Sequence, residues 1–159
     1  MKKIIYALVL LVAVSSLLAA CGGKEEVQAD YSKLTRDNVV DALLQSKWNP
    51  NNRLIIEAHV NGKKVEVEAK TALESTQNFE KIKMYIKDDL KELQGFKDIE
   101  SVEVKYSTLL KDKYGNMKQT HVVTGYISGD DLRQINFDNF YAEDLEGVME
   151  FPFVVTEIK

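Results

Sequence analysis

The chain has 159 residues, with 25 acidic against 21 basic side chains, a formal charge of −4 and one cysteine. A single cysteine excludes an intramolecular disulfide and a cysteine-rich zinc site, so the core has to stand on packing alone. Net acidity makes the chain a poor nucleic-acid binder, because phosphate contacts need clustered Lys and Arg.

Met1-Lys2-Lys3 precedes an apolar run from Ile4 to Val14, two serines, and Leu17-Leu18-Ala19-Ala20-Cys21. A cationic start, a short apolar stretch and small residues before a cut form the pattern of a secretory signal. Residues 4–20 are marginal in length for a bilayer span and contain Ser15 and Ser16, which weighs against the alternative of a retained membrane anchor.

Leu18-Ala19-Ala20-Cys21 resembles the lipobox of bacterial lipoproteins. The resemblance implies a diacylglyceryl group on the Cys21 thiol, cleavage just before it, and attachment to the outer face of a cell membrane. Two acyl chains on one residue suffice for stable anchoring. Cleavage would remove two lysines and no acid, taking the charge from −4 to −6. Lysine outnumbers arginine 18 to 3, a bias that fits a low-GC, Gram-positive source. Residues 1–20 are therefore expected to be a signal peptide and residues 21–29 the lipidated cysteine with a flexible tether. Residues 30–159 are expected to form one domain.

Within that domain Thr35 is placed to cap a helix over residues 36–46, with Val39, Val40, Leu43 and Leu44 as its apolar stripe. Asn49, Pro50, Asn51 and Asn52 stop it. Apolar and polar residues then alternate on both sides of Asn61-Gly62, a strong hairpin signal. A two-residue turn there pairs Ala58 with Val65 and Ile56 with Val67, and sets Glu57 near Glu66.

A second helix is predicted over residues 78–94. Phe79, Ile82, Ile86, Leu90 and Leu93 form its buried side, Lys81, Lys83, Lys87, Asp88, Lys91 and Glu92 its wet side, and Gly95 lies past its end. A second hairpin joins residues 102–110 to residues 120–127, Ser128 caps a short helix, and residues 151–155 suggest a last edge strand. The order α-β-β-α-β-β-α points to an α+β fold: an antiparallel sheet of two hairpins with helices on one face. Lys113-Tyr114-Gly115-Asn116 and residues 135–140 look like segments of small uncharacterised lipoproteins of Gram-positive bacteria.

Catalytic signatures are sparse. His59 and His121 lack the spacing that puts two imidazoles on one zinc. Ser128 stands at the wrong place for a G-x-S-x-G elbow, and helix capping accounts for it. Asp138, Glu143, Asp144 and Glu146 lack the order of a calcium loop. No P-loop or dinucleotide fingerprint occurs, so neither metal nor cofactor is expected.

Two functions fit. The first is a non-enzymatic, membrane-tethered module that binds a protein, peptide or cell-wall component, with Phe137, Phe140 and Tyr141 as its surface. Helical spacing would set those three rings near one face, while core closure is the competing role of the two phenylalanines. The second function is a cell-envelope hydrolase working through a carboxylate pair such as Glu57 and Glu66, since two carboxylates leave no sequence motif.

Overall fold

The computed structural model describes residues 29–46, 53–71, 78–111 and 114–154. Strands β1 (Arg53–Asn61) and β2 (Lys64–Thr71) form the first hairpin. Along β2, Val65, Val67, Ala69 and Thr71 are buried while Glu66, Glu68 and Lys70 are half exposed. The alternation therefore reads correctly as one core face and one wet face.

The turn sits one residue further on than expected. Gly62 has φ +62° and, among the described residues, no non-glycine residue has positive φ, so the two-residue loop is Gly62-Lys63. Glycine at the first central position is the type II′ solution. The register becomes Val60 with Val65 and Ala58 with Val67. The slip of two residues keeps Ala58, Val60, Val65 and Val67 on their expected face, because strand periodicity is two. It does change the charged partners: Glu57 faces Glu68, and Glu66 faces His59.

Helix α1 (Arg36–Gln45) is capped as predicted, the Thr35 hydroxyl accepting from the Asn38 amide at 3.3 Å. It buries Val39, Ala42 and Leu43, and Leu44 points outward instead of completing the stripe. Helix α2 (Asn78–Leu93) crosses the sheet and delivers the chain to β3 (Ser101–Lys111). Strand β4 (Met117–Ser128) completes the second hairpin, helix α3 (Gly129–Gln134) follows, and a 3₁₀ turn (Ala142–Asp144) leads into α4 (Leu145–Val148). Strand β5 (Glu150–Val154) closes one edge.

The α+β class holds, and the sheet order is β1-β2-β3-β4-β5. The sheet is mixed rather than antiparallel, because β2 and β3 run parallel. The cause is length. A 16-residue helix spans about 24 Å and an eight-residue strand about 26 Å, so one pass of α2 returns the chain to the end where β2 began.

Two glycines are fixed by packing. At Gly129 an added Cβ would lie 1.9 Å from the Ile99 carbonyl. Gly95, just past the end of α2 as expected, has no positive φ. An added Cβ there would lie 2.3 Å from Cδ1 of Tyr31, whose ring covers the glycine and meets Phe96 at 5.0 Å between centroids. The Tyr31 hydroxyl donates to Glu92 at 3.0 Å. Ala29, assigned to the tether by composition, is buried in the core. The chain is thus pinned to the C-terminal end of α2 before α1 begins. Burial, reinforced by the Glu92 bond, pushes the Tyr31 phenol up from 10.0 to about 12.

Gly62→Val should lower stability by about 1–3 kcal/mol in urea unfolding, since a β-branched residue resists positive φ. A wild-type midpoint would move the turn elsewhere. Tyr31 binds its proton more tightly when docked, so that docking should hold below pH 10 and weaken toward pH 12. In an absorbance titration read as the difference between the wild type and Tyr31→Phe, the Tyr31 phenol is expected to titrate late, and Gly95→Ala should return it to the ordinary range.

Candidate interaction surface

After α3 the chain climbs along the flank of α2 as a strap. Gln94 anchors its start, its side-chain amide donating to the Leu132 and Ile135 carbonyls at 2.8 Å each. Residues 136–139 form a turn rather than a helix: the Asn139 amide donates to the Asn136 carbonyl at 3.0 Å, and the Asp138 amide to Asn136 Oδ1 at 3.2 Å. The three aromatic rings therefore do not share a helical face. Phe137 is buried and meets Phe140 edge-on at 5.9 Å between centroids. Phe140 is half-buried against the core. Tyr141 is 68% exposed.

Tyr141 is held out by its backbone. Its amide donates to Asp144 Oδ2 at 2.8 Å, and its carbonyl accepts from the Asp144 amide at 3.1 Å. Lys87 on α2 lies 5.9 Å from the Tyr141 ring centre, in cation–π range. Met84, one helical turn before Lys87, is 40% exposed. A fixed phenol, a lysine and a wet methionine therefore meet along one flank of α2.

Beneath that flank lies a lysine that helical periodicity assigned to water. Lys83 is only 3% exposed. Its ammonium reaches Glu146 of α4 and Glu80 at 2.9 Å each, and sits 4.9 Å from the centre of the Phe79 ring. Burial acts to lower its pKa, but the two carboxylates outweigh burial and hold it above the ordinary lysine value. Phe79 also packs edge-on against Phe151 of β5, at 5.8 Å. Two members of the acidic tail thus have structural duties: Asp144 caps the Tyr141 turn and Glu146 holds the strap.

The opposite face of the sheet carries the carboxylates considered for hydrolysis. The register places Glu66 opposite Glu103, with Lys105 bonded to Glu66 and 3.5 Å from Glu103. The Lys105 bond holds the Glu66 carboxyl below its usual range, and the same bond raises Lys105. An ionised glutamate saturated by lysine is the reverse of the raised, proton-carrying acid that glycoside hydrolysis needs. His59 and His121 are both exposed, and His121 Nε2 lies 2.8 Å from the Thr124 hydroxyl. Ser128 caps α3, accepting from the Asp131 amide at 3.0 Å and donating to its carboxylate at 2.6 Å. Among the described residues no group of three His, Cys, Asp or Glu side chains is placed to hold a metal ion.

A shallow cleft of about 460 Å³ lies beside the docked N-terminal segment, lined by Tyr31, Leu34, Phe96 and Lys97 among others. Sequence reasoning missed it because it forms between segments far apart in the chain. Cys21 lies outside the described residues. In comparisons with protein-family models, characterised proteins and solved structures, no match to the chain was found.

Lys83→Ala should destabilise the domain by about 1.5–3 kcal/mol, the range for hydrogen bonds to charged groups. Lys87→Ala, half-buried and set against the Tyr141 ring alone, should cost less, about 0.5–1 kcal/mol. Equal melting temperatures for the two variants would show that Lys83 does not secure the strap.

Proposed function

We propose that this chain is a membrane-anchored lipoprotein, lipidated on Cys21, whose domain acts outside the cytoplasm as a small binding module. The observation that carries the reading is Leu18-Ala19-Ala20-Cys21 at the close of a short apolar run, with the only cysteine of the chain in the position that lipidation requires. Among the described residues no helix is long and apolar enough to cross a membrane. Under this reading attachment comes through the lipid on Cys21.

The working surface is proposed to be the α2 flank bearing Tyr141, Lys87 and Met84, with Phe137 and Phe140 as its foundation. An exposed tyrosine is suited to binding, because its ring gives apolar contact while its hydroxyl stays hydrated. Here the Asp144 turn and the buried Phe137 fix the backbone beneath it, so little freedom is lost when a partner covers the ring. The partner is a protein, peptide or cell-wall component.

Cys21→Ala should abolish palmitate labelling and shift the protein to the medium or to an uncleaved form, and unchanged labelling would sink the anchoring assignment. Tyr141→Ala should weaken capture of a crosslinked partner while leaving the melting temperature within a few degrees. Phe137→Ala should instead cost roughly 3–5 kcal/mol of stability as a buried ring. A Tyr141→Ala protein that retained full partner capture would remove this flank from consideration.

A further inference from the structure

We propose that Asn61 is a site of spontaneous covalent modification, its side-chain amide converting to a carboxylate through a cyclic imide with the Gly62 nitrogen. The reaction needs no enzyme and no oxidant. The Gly62 nitrogen, giving up its proton, bonds to Cγ of Asn61, and the Cγ–Nδ2 bond breaks to release ammonia. Water then opens the ring at either carbonyl, its hydroxyl going to carbon and its proton to nitrogen. Opening at one carbonyl leaves aspartate, and opening at the other leaves isoaspartate, with the main chain rerouted through the side-chain carbon. The net change is one water consumed and one ammonia released.

Four observations place the reaction here. Asn-Gly occurs once in the sequence; Asn38, Asn116, Asn136 and Asn139 are followed by Val, Met, Phe and Phe. A side chain on the following residue crowds the attacking nitrogen, and glycine has none. Residues 61–64 are all exposed, and nothing lies within 4 Å of the position a Cβ would take on Gly62.

The Asn61 side-chain amide also makes no hydrogen bond among the described residues, a freedom it shares with Asn139 but not with Asn38 or Asn136. Asn38 donates to the Lys33 carbonyl at 2.9 Å, and Asn136 Oδ1 accepts from Asp138. Lastly, Lys64 is the cross-strand partner of Asn61 and projects from the same face of the hairpin. Its positive charge favours the negative charge that develops on the attacked amide.

One feature of the fold acts against the reaction. Asn61 belongs to β1, and extended backbone keeps Cγ away from the next nitrogen. Ring closure requires the Asn61–Lys64 pair to open, and the turn end of a hairpin opens at lower cost than its middle. The modification rate therefore reports fraying of this turn. Its two products differ in effect. Aspartate places a carboxylate opposite Lys64 and leaves the loop intact. Isoaspartate inserts an extra backbone atom beside a two-residue loop and disturbs the β1–β2 register.

The test is to hold the full chain in mildly alkaline buffer at physiological temperature and to map peptides by mass over time. Conversion is expected in the peptide containing Asn61 and not in those containing Asn116 or Asn139, with isoaspartate detected by methyltransferase labelling. Asn61→Gln should abolish it. In urea, where the hairpin is open in every chain, the wild type should convert faster than in buffer. There Gly62→Ala should slow conversion by about tenfold or more, equivalent to about 1.4 kcal/mol of barrier. Conversion at Asn61 no faster than at Asn116 or Asn139, or an unchanged mass gain in Asn61→Gln, would overturn the proposal.

Discussion

Everything in this fold is arranged around α2, because one pass of that helix must both bury the sheet and return the chain to its other end. The helix is nearly as long as β2, so β3 starts beside the beginning of β2 and the two central strands run parallel. A parallel pair needs a connection of a dozen residues or more, which only the helix supplies. The central seam and the helix are thus one constraint. Each outer hairpin is local, and the helix together with the β2–β3 ladder ties the two together.

Once α2 lies on the sheet, its remaining sides become binding surfaces for the rest of the chain. Residues 29–34 dock at its C-terminal end through Tyr31, α1 covers one side, and the strap from α3 to β5 follows the other. The helix is therefore buried more widely than a single amphipathic stripe allows, which carries polar groups inside. Asp89 is fully buried and accepts a hydrogen bond from the equally buried Tyr106 of β3. Lys83 is buried with two carboxylates on its ammonium. Partnered charges of this kind add less stability than apolar packing would, but a wrong arrangement strands them without partners. They restrict the alternatives as much as they strengthen the fold.

Local features were legible in the sequence for physical reasons. Alternation gave the faces of β2, Thr35 and Ser128 declared their caps, and the long stripe of α2 was read nearly to the residue. What local pattern could not resolve were choices between solutions of equal parity or effects of distant contact. Asn-Gly and Gly-Lys loops put the same residues on the same faces, so the alternation could not choose between them, and the identity of the carboxylate pairs moved with the turn. Gly95 was legible only as a residue past the end of α2, whereas the reason for glycine there is a tyrosine ring arriving from residue 31. Lys83 looked wet because periodicity describes a helix with one covered side. Only the parallel seam was within reach, through comparison of helix and strand lengths.

The candidate surface differs from ordinary wet residues in how firmly its backbone is held. A tyrosine exposed on a frayed segment would lose most of its binding energy to ordering, since each immobilised segment opposes association. Tyr141 avoids that loss because its neighbours have structural duties: Phe137 is buried beneath, Asp144 closes the turn, and Glu146 is tied to Lys83. The strap also sets the location. Lys87 lies eight residues before Gly95, about 12 Å along the helix axis, so Tyr141 stands to the side of the end where residues 29–34 dock. The docked segment and the Tyr141 flank thus occupy separate stretches of α2, and a partner can cover Tyr141 without displacing Tyr31 from Glu92.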